Sequence, residues 1–280
     1  MGLAMNKTRK IITIRYGLKA GAMTAFIDAD NIAEIDPFVL WDHFAAKNKV
    51  KPVGLNFHGH SGVDTISYSV VGKVKHVDSS GCHATLEGGD VHVMTAGSGI
   101  VHKDTLTPVN GVVETFQLWT ALPAGNAEME TASSTDYKTA ILPLIEEADS
   151  TTKVLVGSYK GINSPVSYSI DIVYLDIIIS PYGTWTFQPK NNLTAGFIYL
   201  RSGKAYISGN QLQPNQMAIL DLSSHALEIK TSDIGTRLFV VLGEPLNQPL
   251  ISSGASIHSS HKNLKSGGEK IEELMGNIEI

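Results

Sequence analysis

Three histidines stand out as residues that could bind a metal ion. His58 and His60 lie in the segment FHGHSGVD, and His102 lies in AGSGIVHKD. In an extended strand, residues i and i+2 project to the same face, so His58 and His60 would direct two imidazoles to one point. A third imidazole from a later strand would complete a set of three nitrogen ligands. Such a set suits zinc, iron, copper and nickel and does not select among them.

A carboxylate could complete the ligand set, and the sequence offers two. Asp104 follows His102 by two residues and shares its face of the strand, whereas Asp64 follows His60 by four. A lone strand histidine is commonly only hydrogen-bonded, and the His58–His60 pair alone does not decide between the two interpretations. The third histidine and the neighbouring glycine turns favour a metal site.

The elements that would position these residues are strands. Short runs rich in β-branched residues are separated by glycine, which is typical of an all-β sandwich or barrel. A short turn is predicted within Asp36–Ala46, and a C-terminal helix is predicted over Gly268–Met275, at a glycine pair. The clearest predicted strands are Thr65–Val71, Val91–Met94, Val112–Trp119, Val173–Ile179, Gly196–Leu200, Met217–Leu222 and Arg237–Leu242.

The chain is expected to form two halves of similar length. A polar stretch over Leu122–Thr139 predicts a linker, which divides the chain near Tyr137 into residues 1–137 and 138–280. The halves are weakly repeated, since VVGKVKHVD and EGGDVHVM in the first correspond to RSGKAYISG and QPNQMAIL in the second. This alignment places Pro189, Asn191 and Glu228 near the positions of His58, His60 and His102, so the second half has no matching ligand set.

Composition excludes several classes of partner. The net charge is -5, and the basic cluster at Lys7–Lys10 is interpreted as a solvated tail, so no direct nucleic-acid partner is expected. No apolar run has the length needed to cross a bilayer, and none resembles a signal peptide. The single cysteine, Cys82, allows no intrachain disulfide. Together these features predict a cytoplasmic protein without a membrane partner.

The stretch from Phe57 to Asp104 resembles the pirin family of cupins. The family signature is HPH-x-GF-E-T, then a hairpin, then GD-x-QWMTAG-x-GI-x-HSE; this chain has HGHSGVDT and GDVHVMTAGSGIVHKD. The resemblance extends to IDPFVLWDHF at Ile35–Phe44, FQLWTALP at Phe116–Pro123 and GEPLNQPL at Gly243–Leu250. It therefore covers most of the chain.

The resemblance implies two tandem jelly-roll-type cupin barrels, with a metal site in the first barrel and a short helix at the end of the second. The implied ligands are His58, His60, His102 and Asp104. This chain departs from the family in having Asp at positions 104 and 64, where Glu is usual. An Asp carboxylate reaches roughly 1–1.5 Å less far than that of Glu, which puts the fourth ligand in question.

Two further departures concern residues beside the implied ligands. Glycine replaces the usual proline at position 59, which we expect to loosen the backbone between two ligands. His92 replaces the usual glutamine and is expected either to line the metal pocket or to be a buried polar strand residue.

The resemblance implies three alternative functions. In the first, one divalent metal, Fe(II) foremost with Mn, Ni, Co, Cu or Zn as alternatives, supports cleavage of a flavonol by O2, as in quercetin 2,3-dioxygenases. Asp104 would then also act as the catalytic proton acceptor. In the second, the chain is a non-enzymatic regulator, a transcriptional co-regulator or enzyme-binding protein with a structural or redox-sensing metal and a protein partner. In the third, it is a degenerate cupin without metal.

Overall fold

Antiparallel strand pairs dominate the fold, as the glycine-separated runs of β-branched residues predict. The computed structural model describes residues 8–27 and 32–278. Up to Tyr137 the strands are β1 (Ile11–Tyr16), β2 (Leu18–Ala20), β3 (Met23–Ile27), β4 (Phe38–Ala46), β5 (Val53–Gly54), β6 (His58–His60), β7 (Val63–Val71), β8 (Lys73–Asp78), β9 (His83–Leu86), β10 (Val91–Thr95), β11 (Ile100–Thr107), β12 (Val113–Ala121) and β13 (Ser133–Tyr137).

The rest of the described chain continues in strands and ends in a helix. Short 3-10 turns lie at Ile32–Ile35, Ala127–Met129 and Thr139–Ile141, and helix α1 spans His261–Gly276. The remaining strands are β14 (Leu144–Glu146), β15 (Ser150–Val156), β16 (Ser158–Tyr159), β17 (Ile162–Asn163), β18 (Ile172–Ile179), β19 (Thr184–Phe187), β20 (Ala195–Ser202), β21 (Ala205–Ile207), β22 (Asn210–Leu212), β23 (Gln216–Leu220), β24 (Leu227–Lys230), β25 (Thr236–Gly243), β26 (Ile251–Ser252) and β27 (Ile257–His258).

The described residues form two compact units, and the side chains that fill their interiors differ. The site unit comprises Leu18–Ile141, Tyr168–Ile170 and the described chain from Leu246 onwards. The apolar unit comprises the described residues up to Gly17 together with Leu142–Ser167 and Asp171–Pro245.

The site unit is built from two facing sheets. One has the strand order β13-β10-β7-β12-β4-β3-β2, and the other has β5-β11-β8-β9 with β6 also paired to β11. The sheets face each other, because the ring of His92 on β10 lies 4.3 Å from that of His76 on β8. Likewise, the ring of His60 on β6 lies 4.5 Å from that of Trp119 on β12. The interior of this unit is therefore lined by imidazoles.

The apolar unit repeats the architecture without the imidazoles. Its sheets have the orders β1-β23-β20-β25-β18-β15-β14 and β19-β24-β21-β22. Fully buried apolar side chains fill the space between them, among them Leu175, Trp185, Ile198 and Ile229. The prediction of an all-β protein with two barrels is thus confirmed, and the strands of the predicted repeat are present as β8-β9-β10 and β21-β22-β23.

The predicted division at Tyr137 does not describe the two ends of the chain. Strand β1 pairs with β23, in register from Ile11 opposite Leu220 to Tyr16 opposite Gln216, and so extends a sheet of the apolar unit. Helix α1, predicted to end the second barrel, instead packs against β6 and β11 of the site unit. The pairing of β1 with β23 and the packing of α1 on β6 and β11 therefore place each end of the chain in the unit formed mainly by the other half of the sequence.

The interpretation of the basic cluster as a solvated tail was wrong for Arg9. Its side chain is fully buried, and its guanidinium donates to the carbonyl oxygens of Leu193, Thr194 and Asp221. Burial lowers the pKa of Arg9 to about 10, although the nearby Asp221 raises it. Arg9 is buried because the buried carbonyl oxygens need hydrogen-bond donors and its guanidinium supplies five. Lys7 lies outside the described residues.

The short turn predicted within Asp36–Ala46 lies at Asp36 and Pro37. Strand β4 follows it at Phe38–Ala46, because these residues pair with β12 on one side and β3 on the other. The predicted start of the C-terminal helix needs correction. Helix α1 begins at His261, before the predicted start, because the Ser260 hydroxyl accepts the Asn263 N–H as an N-cap. Among the described residues, no helix combines the length and apolarity needed to span a membrane.

Candidate metal centre

Strand register brings the three predicted histidines together. On the pairing of β11 with β6, His102 lies opposite His58, and Ile100 lies opposite His60. The rings of His58 and His60 lie 4.3 and 5.1 Å from that of His102, and 5.0 Å from each other. One potential ligand atom from each of the three lies within 4.8 Å of the others. The alternation argument for His58 and His60 therefore agrees with the geometry.

Backbone carbonyls orient two of these imidazoles. His58 Nδ1 lies 2.9 Å from the Asn56 oxygen, and His60 Nδ1 lies 2.8 Å from the Ala255 oxygen. A carbonyl oxygen only accepts, so each Nδ1 carries the proton and each Nε2 keeps its lone pair. Histidines that ligate metals commonly show this arrangement, with the other ring N–H held by a carbonyl or carboxylate.

The surroundings keep the same two imidazoles neutral. Burial and, to a smaller extent, the nearby His102 together lower the pKa of His60 to about 3. Burial and His102 also lower the pKa of His58. Because a protonated imidazole cannot ligate a metal, these shifts prepare both rings for binding at neutral pH.

Asp104 lies beside this group and not within it. Its carboxylate is 2.8 Å from His76 Nδ1 and 3.3 Å from His102 Nδ1. The group of potential ligands that contains Asp104 is His76, His102 and Asp104. Burial raises the pKa of Asp104, but contacts with His102 and His76 outweigh this and hold it well below its usual range.

Asp104 also borders a mainly apolar cavity. The cavity has a volume of about 130 Å³, and among its lining residues are Phe44, Leu55, Leu106 and Phe116. Asp42 also lines it. A carboxylate beside the histidines therefore faces a space suited to an apolar or aromatic molecule.

Sequence reasoning missed His76 and Asp78. Both lie on β8, where Asp104 pairs with His76 and His102 with Asp78 across to β11. His76 Nε2 lies 2.9 Å from Asp78 Oδ2, and the pKa of His76 is raised to about 9 because hydrogen bonds to Asp104 and Asp78 outweigh its burial. Their i, i+2 spacing in VVGKVKHVD was the available signal, the same one that identified His58 and His60.

The other predicted carboxylate, Asp64, is not near the histidines' ligand atoms in either group. It lies on β7 in the other sheet, and its Oδ2 accepts the Ser169 N–H at 3.2 Å. Its pKa is raised by burial. Asp64 therefore belongs to neither group of potential metal ligands among the described residues.

Gly59 serves close packing rather than a loosened backbone. A Cβ at this position would overlap Ile271 Cγ2 of helix α1 and lie 3.0 Å from its Cγ1. The usual proline would meet the same obstacle. The absence of a side chain at position 59 thus lets the helix cover the strand that carries two histidines.

A buried polar network fixes the helix at this place. His258 and Glu128 are each almost fully buried; His258 Nδ1 lies 3.1 Å from Glu128 Oε2, and its Nε2 lies 2.9 Å from Ser61 Oγ. Glu128 also accepts from Ser259 and Asn263 at the start of α1. The residue after His60 is therefore tied to the C-terminal segment.

Within the described ranges, both groups of potential metal ligands lie in the site unit. In the apolar unit, the counterpart of His102 is the exposed Glu228, which lies 2.8 Å from Lys230 Nζ. The fold and the one-sided histidine cluster define a two-barrel cupin.

Comparison with known proteins agrees with this class. The pirin family matches residues 19–120, and the pirin C-terminal cupin domain matches residues 174–272. The chain belongs to the pirin family. Human pirin is 28% identical over 94% of this chain and 91% of its own length. A Pseudomonas aeruginosa protein whose name gives quercetin 2,3-dioxygenase as its proposed activity is 26% identical, over 93% of this chain and 95% of its own.

Two solved structures share the fold. Quercetin 2,3-dioxygenase from Acinetobacter baumannii has a TM-score of 0.87 at 21% identity, covering 97% of this chain and 99% of its own. The pirin YhhW from Escherichia coli, solved in complex with nickel(II), has a TM-score of 0.62 at 15% identity, covering 83% and 100%.

Proposed function

We propose that the chain binds one divalent transition-metal ion through His58, His60 and His102 and cleaves a flavonol with O2, as quercetin 2,3-dioxygenases do. The observation that carries the proposal is the shared orientation of His58 and His60, whose Nδ1–H groups are held by backbone carbonyls. Nε2 of each ring is left to bind a metal. The similarity to the P. aeruginosa relative supports the choice of reaction.

The donor atoms fit a transition metal without selecting one. Three imidazole nitrogens suit iron, nickel, copper, cobalt or zinc. Fe(II) is our first choice, and nickel(II) is the ion bound by the E. coli relative YhhW. When bound, such an ion with open coordination positions would supply Lewis-acid and redox chemistry toward the flavonol and O2.

The residues around the metal position have separate roles in this proposal. The apolar cavity beside Asp104 would hold the aromatic rings and exclude water. Asp104 is ionised at neutral pH, because His76 and His102 lower its pKa. It can therefore accept the proton of the flavonol hydroxyl, although the low pKa makes it a weak base.

Oxygen uptake with quercetin tests the proposal. The protein would be stripped of metal, reconstituted separately with Fe(II), Mn(II), Co(II), Ni(II) or Cu(II), and assayed in an oxygen electrode. We expect turnover with at least one ion. Metal-loaded protein that consumes no oxygen with any of the five would overturn the dioxygenase proposal and favour the regulatory alternative.

Asp104→Asn is the informative variant in the same assay. Amide and carboxylate have nearly the same shape, and the three histidines remain, so we expect the ion to stay bound. Turnover should fall by about 100-fold, the usual contribution of a proton acceptor. Asp171→Asn, in the apolar unit, is the matched control and should leave turnover unchanged.

We further propose the cytoplasm as the location, with no nucleic-acid or membrane partner. The single cysteine and the net charge of -5 support this assignment. A protein partner belongs to the regulatory alternative and would be sought by pull-down with metal-loaded chain.

A further inference from the structure

A second set of potential ligands lies beside the three histidines. One ligand atom each from His76, His102 and Asp104 lies within 4.8 Å of the others. The set follows from register, because Asp104 on β11 is directly opposite His76 on β8, and His102 shares the face of Asp104. Two nitrogens and a carboxylate oxygen are a donor set that divalent transition metals accept.

Asp78 directs His76 toward this set. Asp78 Oδ2 lies 2.9 Å from His76 Nε2 and accepts from Ser134 Oγ, while Oδ1 accepts from the backbone N–H groups of Ser80 and Cys82. With so many donors around it, Asp78 acts as the acceptor, and His76 Nε2 carries a proton. His76 Nδ1 then faces Asp104 at 2.8 Å, and a bound dication would displace the proton that this nitrogen donates to Asp104. A carboxylate that holds one ring nitrogen while the other faces the ligand site is the arrangement common around metal-bound histidines.

Unsatisfied imidazoles surround the same place. His102 and His92 are each 2% exposed; His102 Nε2 and both ring nitrogens of His92 have no hydrogen-bond partner, whereas His102 Nδ1 lies 3.3 Å from Asp104 Oδ2. The His92 ring lies 4.3 Å from that of His76. A buried polar group without a partner is unfavourable, and metal ligation would remove that cost. The three-histidine position explains His102 but leaves His92 unexplained.

We propose that His76, His102 and Asp104 form a second position for a divalent transition-metal ion, with His92 beside it as a further nitrogen donor. The two positions overlap at His102, and two dications so close together would repel each other strongly. One ion therefore occupies one position at a time. This inference rests on the proposed three-histidine site only through the shared residue His102. It does not depend on quercetin turnover.

Loss of His58 should move the ion rather than release it. His58→Ala breaks the three-histidine set at a half-buried side chain, while His76, His102 and Asp104 remain. We expect the variant to bind one equivalent of Co(II) with an affinity lowered by no more than about tenfold. Isothermal titration with Co(II) would measure affinity and stoichiometry, and circular dichroism would verify folding.

A double-mutant cycle with His76→Gln identifies the new ligands. Glutamine can still donate to Asp78 but lacks the imidazole nitrogen. In the wild-type background the substitution should change Co(II) affinity by less than about threefold, and in the His58→Ala background it should lower it by more than about 100-fold. The exposed His83→Gln is the matched control and should have no effect in either background. Equal effects of His76→Gln in both backgrounds would overturn the second position.

Anomalous diffraction gives a reading that does not depend on the His76 variant. In crystals of His58→Ala grown with Co(II), the anomalous peak should be bonded to His76 and Asp104. A peak bonded to His60 and His102 without His76, or no Co(II) binding by His58→Ala when the wild type binds it, would overturn this inference alone. A wild-type chain that binds no Co(II) would overturn it together with the three-histidine site.

Discussion

At the scale of residues, the reach of Asp104 decides which ligands can act together. Its carboxylate is engaged by His76 at 2.8 Å and lies near His102, but it is not grouped with His58 and His60. A Glu at this position would extend roughly 1.5 Å farther. The cavity beside Asp104 provides space for that extension. The shorter side chain therefore separates the three-histidine position from its carboxylate.

The substitution Asp104→Glu should bring a carboxylate to the three-histidine position. We expect Co(II) affinity to rise by about tenfold, equivalent to about 1.4 kcal/mol, because a carboxylate oxygen joins the three imidazoles. In this variant the loss of His58 should no longer move the ion to His76, because the longer carboxylate would extend beyond His76 to the three-histidine position. Competition against a chromophoric chelator would measure the affinity. Asp171→Glu is the control, and weaker binding by Asp104→Glu would contradict the explanation from reach.

Much of the candidate site was predictable, because alternation along a strand depends on the sequence alone. It placed His58 with His60 and His102 with Asp104, and the resemblance supplied the pairing of the two strands. His76 required knowledge that β8 and β11 are neighbours in a particular register. The absence of Asp64 from both groups of potential ligands depends on the place of β7 in the facing sheet. Both facts depend on tertiary pairing, which spacing does not encode.

At the scale of elements, helix α1 acts as a cover over the histidine-bearing strand. It contacts β6 and β11, and it approaches closely where side chains are absent, at Gly59 and at its own Gly267. A Cβ at Gly267 would overlap Ser61 Oγ. The glycine pair that suggested a helix start thus lies inside the helix, and Gly267, the first of the two, makes this contact.

Gly59→Ala should disturb this contact. The added methyl would overlap Ile271, whose β-branched side chain has little rotamer freedom in a helix, so α1 must shift. We expect a loss of about 1–3 kcal/mol in the free energy of unfolding, measured by urea denaturation. Ile271→Ala should make the second substitution nearly neutral, because the space becomes available. Additive losses in the double variant would show that Gly59 acts through its backbone instead.

The strands were easier to predict than the helix. Runs such as Val173–Ile179 are short, continuous, rich in β-branched residues and almost wholly buried, which is typical of core strands. Helix α1 contains three glycines and has few buried positions, which weakens its pattern. Strand β4 was not among the predicted strands, because its strand character comes from two partners, β3 and β12.

At the scale of the whole molecule, each end of the chain belongs to the unit whose other residues are mostly distant from it in sequence. Strand β1 and Arg9 complete the apolar unit, whereas residues from Leu246 onwards complete the site unit. The weak repeat correctly indicated two similar barrels. The repeat could not show that each end of the chain belongs to the unit formed mainly by the other half, because it covers internal strands only.

A chain that ends at Pro245 tests the dependence of the metal site on its distant C-terminal segment. The truncation removes the Ala255 carbonyl that orients His60 and the His258, Ser259 and Asn263 partners of Glu128. Removal of partners from a buried charged network costs about 3–5 kcal/mol, and the packing of α1 on β6 and β11 is lost as well, so the site unit should lose its cooperative unfolding transition. Co(II) affinity should fall by more than about 100-fold in the same preparation.

The matched control for this truncation is Lys265→Ala, an exposed substitution on the same helix, which should leave both measurements unchanged. Differential scanning calorimetry would report the unfolding transition, and titration with Co(II) would report binding. Wild-type affinity in the truncated chain would show that β6 and β11 hold the imidazoles unaided. If the truncated chain keeps its unfolding transition but no longer binds Co(II), the effect is due to the loss of the Ala255 carbonyl that orients His60. The segment from Ser256 to Ile271 would then serve only to hold that carbonyl in place.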